Sequence, residues 1–184
     1  MKIKAVVFDA YGTLFDVYSV QVLANECYPG HGADIAVKWR DKQIEYTRLI
    51  TQSDPHNALG SQYFRPFWEL TRLSLEYTLD RLKLERQGGQ VEKLMAQYAN
   101  LKPFPENLGV LQTIKNMGLT TAILSNGSVD MLGELIGSGG TAAAARQGAF
   151  ALDAGSLRDA SALMLALDQG RFHEAVDLRL RTGN

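Results

Sequence analysis

The first apolar run of the chain predicts a buried strand that ends at an acid. Residues 5–8 are all apolar, Asp9 follows them directly, and Gly12 comes three residues later. A short unbroken run of this kind is typical of a strand covered on both faces in a parallel sheet. Gly12 allows the chain to turn sharply after it. Because ligands of open α/β sheets bind beyond the carboxyl ends of the strands, Asp9 is placed to face a ligand crevice. Taken alone, an aspartate after a strand more often only begins a turn.

After Asp16 the spacing of apolar residues becomes helical. Side chains recur at steps of three and four in two stripes: Ile35, Trp39, Lys42, Tyr46 and Leu49, and then Trp68, Leu75, Leu79 and Leu82. The stripes predict two amphipathic helices, the second from about residue 62 to a break at residues 88–89, and a third over residues 90–99. Turn formers at residues 53–57 predict a loop between the first two.

The pattern of a sheet domain returns near residue 102. Two prolines in residues 102–105 favour an extended entry, and an apolar stripe over residues 108–117 predicts a helix that ends at Gly118. Residues 119–124 are rich in threonine and aliphatic residues and predict a second buried strand. It ends in Ser125-Asn126-Gly127, and Ser128 is placed to cap a helix that reaches about Ile136.

The last part of the chain has a different composition. Residues 139–184 contain eleven alanines and no lysine, proline, isoleucine, tyrosine or tryptophan. We expect two short helices, over residues 157–167 and 172–180, and no further buried strand, because no β-branched run is present.

Bulk composition narrows the function classes. The 184 residues have a net charge of -1, which provides no electrostatic attraction to nucleic acid or to an anionic membrane. Cys27 is the only cysteine and no apolar run approaches the ~20 residues of a membrane helix. The three histidines have no ligand-like spacing, so no metal site is predicted. We expect a cytoplasmic protein.

The region around Asp9 carries a family resemblance. Residues 9–16 read DAYGTLFD, which closely resembles the nucleophile motif of the haloacid dehalogenase superfamily, and most of all its type II L-2-haloacid dehalogenases. Phosphatases of that superfamily have a second acid where this chain has Tyr11. The resemblance implies a Rossmann-like parallel-sheet core (residues 1–16 and 99–136), an inserted helical cap (residues 17–98) and Asp9 as the nucleophile, with no cofactor.

Other site residues follow from the same resemblance. Thr13 would support the nucleophile, and Tyr11 would line an apolar substrate pocket. Arg40, in the segment KWRDKQIEY of residues 38–46, would stabilise the departing halide. Taken alone, an arginine on a helix is more often solvated or paired at the surface.

The strand-end triplet and two apolar residues complete the predicted site. Ser125 would hold the substrate carboxylate, and Asn126 would contact the halide. Ile44 and Phe67 resemble pocket residues that hold the alkyl group and the halogen, although both also suit a simple helical core.

The resemblance ends at about Ile136. The family's later lysine and its final Ser-Ser-Asn strand with a nearby aspartate are absent, and the last lysine of the chain is Lys115. The C-terminal part of the core is therefore missing or replaced by the atypical segment 137–184, which leaves the first strand on an open edge. A reading-frame shift after Ile136 is one hypothesis. It is wrong if no other frame of the encoding DNA restores the lysine and the missing strand.

Three functions remain open at this level. The first is hydrolysis of a small halogenated carboxylic acid, from an L-2-haloacid to a D-2-hydroxy acid through an aspartyl ester. The second is an inactive remnant of such an enzyme, and the third is a magnesium-dependent phosphatase of the same superfamily. Dimers are common among relatives, so a homodimer is also compatible with the resemblance.

Overall fold

A computed structural model describes residues 3, 5–53, 63–86, 88–138 and 150–153. Of the loop predicted over residues 53–57, Ser53 is the last residue of α2 and residues 54–57 lie outside these ranges. The two short helices predicted over residues 157–167 and 172–180 also lie outside them. The elements in chain order are β1 (Ala5–Phe8), β2 (Phe15–Asp16), a 3₁₀ helix (Val17–Val20), α1 (Gln21–Cys27), α2 (Gly32–Ser53), α3 (Phe67–Arg81), α4 (Gln90–Tyr98), β3 (Lys102–Pro103), α5 (Asn107–Asn116), β4 (Thr120–Ser125), α6 (Val129–Ser138) and β5 (Phe150–Asp153).

The chain has an α/β fold built on a parallel sheet, as predicted. The three strands lie in the order β1-β4-β5, with Ala5 opposite Thr120 and Phe8 opposite Ile123. Among the described residues, β1 has β4 as its single neighbour.

The expectation of no further strand after residue 137 is wrong. Residues 150–153 form β5, which pairs in parallel with β4 from Ala122–Phe150 to Ser125–Asp153. The sequence Phe-Ala-Leu-Asp has no β-branched residue, and strand propensity is largely a measure of how a side chain fits its neighbours. Here the hydrogen-bonding edge offered by β4 determines the conformation, which propensity alone does not reveal.

A second, two-stranded sheet joins the two ends of the helical segment. β2 and β3 pair antiparallel, with Phe15 opposite Pro103 and Asp16 opposite Lys102. The chain therefore leaves the parallel sheet and returns to it at neighbouring points, and α1–α4 all lie between these two points in the sequence.

The second long helix is shorter than its stripe predicts. Residues 63–66 lie outside the helix, and α3 begins at Phe67, because Pro66 is extended (φ -56°, ψ 144°) and a proline disfavours helical backbone in the residue before it. α3 also ends at Arg81, ahead of the two glycines, where Lys83 adopts a left-handed conformation (φ 57°). The other predicted helices and strands within the described residues agree with the structure to within a few residues.

One continuous apolar core connects the helical segment with the sheet. It includes Phe15, Trp39, Leu75, Leu94 and Leu132, each with at most 1% of its surface exposed. α2 packs along α3, and the indole Nε1 of Trp39 donates a hydrogen bond to the carbonyl oxygen of Thr71 (2.8 Å). The indole therefore has its polar group satisfied inside the core.

α5 buries its apolar stripe only in part. Leu111 and Ile114 are half-buried and the helix contacts β4, whereas Leu108 and Met117 are exposed. Apolar periodicity shows that a helix has an apolar face, but it does not show how much of that face is covered. Within the described ranges, no helix is long and apolar enough to cross a membrane.

Candidate active site

The site forms where β1 and β4 end side by side. The strands are parallel with Phe8 opposite Ile123, so Asp9, directly after β1, and Ser125, the last residue of β4, reach the same edge of the sheet. Ser125 is buried, and its Oγ accepts a hydrogen bond from the backbone N–H of Gly127 (3.2 Å). Its hydroxyl hydrogen remains available to donate. Ser128 caps α6 as predicted, since its Oγ accepts from the N–H of Met131 (3.3 Å).

Arg40 reaches this edge from α2 and is held there by two hydrogen bonds. Its guanidinium donates to the carbonyl oxygen of Tyr11 (2.9 Å) and to Oε1 of Gln43 (2.8 Å). The turn after Asp9 passes through Gly12, which has a positive φ of 95° that glycine adopts without strain. A Cβ at this position would lie in ordinary contact with Arg40, 3.6 Å from its Nη2. The cation therefore has a set position, unlike an arginine on a solvated helix face.

Gln43 connects three elements beneath the site. Its side chain is fully buried, and its Nε2 donates to Oγ1 of Thr71 (2.6 Å), while its Oε1 also accepts from the hydroxyl of Tyr98 (2.9 Å). A buried amide that is hydrogen-bonded through both its nitrogen and its oxygen rigidifies the residues around it. Gln43 was not predicted from the sequence, although it lies three residues after Arg40 and so shares its helix face.

Tyr11 forms a wall of the site. Its ring stacks on Tyr98 (centroids 5.5 Å apart, planes at 13°) and tilts against Phe67 (5.3 Å), and it is 3% exposed. Among the described residues, none forms a hydrogen bond with its buried hydroxyl. Burial raises the pKa of Tyr11, with smaller contributions from Tyr98 and Asp9, so its phenol is a neutral donor at neutral pH.

The charge of Asp9 is set by opposing effects. Burial among its neighbours raises the pKa of the carboxyl, while the backbone N–H of Ala10 and the guanidinium of Arg40 lower it. The group is still open to the space at the end of the strand. A partly desolvated carboxylate next to a cation can act as a nucleophile, since fewer water molecules must be displaced from it.

These residues surround a cavity of about 180 Å³. Seven of the eight predicted site residues line it: Asp9, Tyr11, Arg40, Ile44, Phe67, Ser125 and Asn126. Thr13 does not; it lies in the turn after Asp9 and is exposed. The cavity is smaller than the roughly 300–1,000 Å³ of sites for drug-sized ligands, so it suits a small molecule.

Two residues that were not predicted also line the cavity, Thr47 and Arg48. They lie seven and eight residues after Arg40 on α2, so helical spacing from Arg40 would have indicated both. Within the described ranges, no cluster of three or more histidine, cysteine or acidic side chains is arranged to hold a metal ion.

Comparison with known sequences shows similarity to dehalogenases. Residues 3–153 match the family model of haloacid dehalogenase-like hydrolases, a range that extends past Ile136 to the end of β5. The chain is 42% identical over 139 residues to haloacetate dehalogenase H-2 of Moraxella sp. (strain B), covering 76% of this chain and 58% of that protein. It is 44% identical over 138 residues to the (S)-2-haloacid dehalogenase of Xanthobacter autotrophicus, covering 75% and 51%. The chain thus spans about half the length of these relatives.

Solved structures show the same similarity. The crystal structure of the L-2-haloacid dehalogenase RSc1362 superposes with a TM-score of 0.78 at 39% identity, covering 92% of this chain and 74% of that one. The Xanthobacter autotrophicus L-2-haloacid dehalogenase with chloropropionic acid covalently bound superposes with a TM-score of 0.74 at 35% identity, covering 92% and 66%.

Proposed function

The chain belongs to the haloacid dehalogenase-like hydrolases, and from that premise we propose that its cavity hydrolyses short L-2-haloacids to D-2-hydroxy acids. The observation that carries the proposal is the composition of the cavity wall: one carboxylate, one anchored guanidinium and two polar residues at a strand end face three apolar side chains. A 2-haloacid needs this combination, since it has an anionic end, a carbon–halogen bond and a short alkyl group.

In the proposed reaction, a carboxylate oxygen of Asp9 attacks C2 of the substrate. A new C–O bond forms as the C–halogen bond breaks, the halide leaves with the bonding electrons, and the configuration at C2 inverts. Water then attacks the carbonyl carbon of the Asp9 ester, which releases the 2-hydroxy acid and restores the carboxylate. Splitting the displacement into two steps is the benefit of covalent catalysis. The Xanthobacter autotrophicus structure, which has chloropropionic acid covalently bound, supports such an intermediate.

The other lining residues have roles that follow from their positions. Arg40 stabilises the leaving halide, because its two hydrogen bonds hold the cation in place before charge develops. The hydroxyl of Ser125 donates to the substrate carboxylate, and Asn126 contacts the halide. Ile44 and Phe67 pack on the alkyl group. The hydroxyl of Tyr11, which has no hydrogen-bond partner among the described residues, donates to the bound acid.

The proposal also retains the predicted division of the chain. Residues 1–16 and 99–136 would form the core, residues 17–98 the cap that supplies Arg40, and residues 137–184 the atypical segment, of which β5 joins the sheet of the core. The pairing of β2 with β3 at both ends of the helical segment supports such an insertion.

Loss of activity is the second candidate, and a specific observation favours it. Among the described residues that line the cavity, the cations are Arg40 and Arg48, and no lysine is present. The family motif implies a lysine near the nucleophile, and arginine does not replace lysine at a shaped site without loss.

A halide-release assay decides between the candidates. Purified protein is incubated with L-2-chloropropionate without added metal, beside an Asp9→Asn variant. Asp34→Asn, the same change at an exposed position of α2, is the control. Chloride release by the wild type that Asp9→Asn abolishes supports the dehalogenase. No release by a protein that melts cooperatively supports the inactive form. Magnesium-dependent hydrolysis of a phosphomonoester would contradict both and identify a phosphatase.

A further inference from the structure

Two arginines on one face of α2 line the same cavity. Arg40, Ile44 and Arg48 follow one another at steps of four residues, and all three are lining residues. Each step advances about 6 Å along a helix and turns by only about 40°, so Arg48 lies roughly 12 Å along the helix axis from Arg40 with Ile44 between them. The cavity therefore has cations at two positions along the helix, separated by an apolar side chain.

The two guanidiniums differ in what they contact. Arg40 is committed to Tyr11 and Gln43 through its two hydrogen bonds. Arg48 is exposed, and none of the described residues forms a hydrogen bond or ion pair with it. An arginine presents five donors in a planar fork that matches a carboxylate, so Arg48 has its full capacity for an anion.

A neighbouring cavity meets the first one at Ile44 and Arg48. It measures about 440 Å³ and is also lined by Asp41, Glu45, Leu49 and Gln52. Its acid Glu45 is paired with Lys42 (2.6 Å), which reduces the negative charge near Arg48. Asp41, which also lines this cavity, opposes anion binding. A substrate longer than a propionate has room to extend past Ile44 toward Arg48.

We propose that Arg48 binds a second, distal carboxylate of the substrate, so that the site accepts 2-halogenated dicarboxylic acids. The proposal rests on the proposed function for the position of the first carboxylate, which lies at Ser125. The alkyl chain passes over Ile44, and the distal carboxylate pairs with the Arg48 guanidinium at the junction of the two cavities.

Binding of unreactive acids tests the proposal without requiring turnover. Succinate, glutarate and propionate contain no halogen, so their affinities for the full-length wild type can be measured by titration calorimetry. We expect at least one diacid to bind about two- to fivefold more tightly than propionate, the effect of one solvent-exposed ion pair. Arg48→Gln should abolish that preference while leaving propionate affinity nearly unchanged, and Arg48→Lys should restore it in part. Arg81→Gln, at an exposed arginine on α3, is the matched control for net charge.

The outcomes separate this proposal from the proposed function. If no diacid binds more tightly than propionate, or if Arg48→Gln retains the preference, the distal site is refuted. If the preference depends on Arg48 but no chloride is released from L-2-chloropropionate, the distal site stands and the dehalogenase activity fails. Thermal melting of each variant, compared with that of the wild type, distinguishes a lost preference for diacids from a failure to fold.

Discussion

Replacing Gly127 with alanine tests whether the wall of the cavity is tightly packed. A Cβ atom at this position would lie 2.9 Å from Cε2 of Tyr11 and 3.1 Å from its hydroxyl oxygen. The ring cannot easily move away, since it is stacked on Tyr98 and tilted against Phe67. Overpacking of this kind costs about 1–3 kcal/mol. At about 2–4 °C per kcal/mol for a chain of this size, Gly127→Ala should lower Tm by roughly 2–12 °C.

Gly133→Ala is the matched control. Gly133 lies on α6, a few residues from Gly127, and a Cβ there would meet nothing within 4 Å. The same chemical change should therefore stabilise the protein by about 0.5–1 kcal/mol, because alanine loses less backbone entropy in a helix. Differential scanning calorimetry of both variants measures the contrast directly.

The contrast between the two variants is the critical result. Equal melting temperatures for Gly127→Ala and Gly133→Ala would show that Tyr11 yields without cost, and the reasoning that a rigid aromatic wall shapes the cavity would then be refuted. A drop confined to Gly127→Ala, together with a raised KM for L-2-chloropropionate in an active protein, would support it.

Two further predictions concern charge and buried polarity. Gln43→Leu removes the acceptor shared by Arg40 and Tyr98, so it should lower the free energy of unfolding by about 2–4 kcal/mol. Urea titration measures this change, and Gln52→Leu, at the exposed end of α2, should alter the free energy of unfolding little. Burial raises the pKa of Asp9 above 3.8, so the folded protein holds the carboxyl proton more tightly than the unfolded chain does. The folded state therefore loses stability as pH rises from 3.8 through the raised pKa, because the buried carboxyl must ionise. Asp9→Asn should therefore be more stable than the wild type at neutral pH, and this gain should disappear below pH 3.8; a gain that persists in acid would contradict the pKa direction.

Much of the fold was predictable because its signals are local. The run of apolar residues before Asp9 and the helical stripe through Ile35 and Trp39 indicate β1 and α2 without knowledge of any partner. The start of α3 was predicted too early, because the stripe continues the helical pattern while the backbone effect of Pro66 ends it. β5 was missed altogether, since its strand conformation depends on the open edge of β4 and not on its own residues.

The candidate site divides in the same way. The motif after β1 and the triplet after β4 indicated Asp9, Tyr11 and Ser125, and the structure brings them to one cavity. The sequence did not indicate that Gln43 anchors Arg40 or that Arg48 reaches the cavity. Helical spacing from Arg40 places Gln43 and Arg48 on the same face of α2. It does not show which residues of that face belong to the site.

By itself, the sequence determined where the chain forms a strand or a helix and which acid stands at the end of the first strand, because these depend on periods of two and 3.6 residues within short segments. The tertiary structure alone decided which distant side chains meet. Examples are the hydroxyl of Tyr11 against Gly127, for which the described residues provide no hydrogen-bond partner, and the two hydrogen bonds that hold Arg40. Such contacts depend on how helices and strands pack against each other. No local pattern in the sequence indicates which residues far apart in the chain will come into contact.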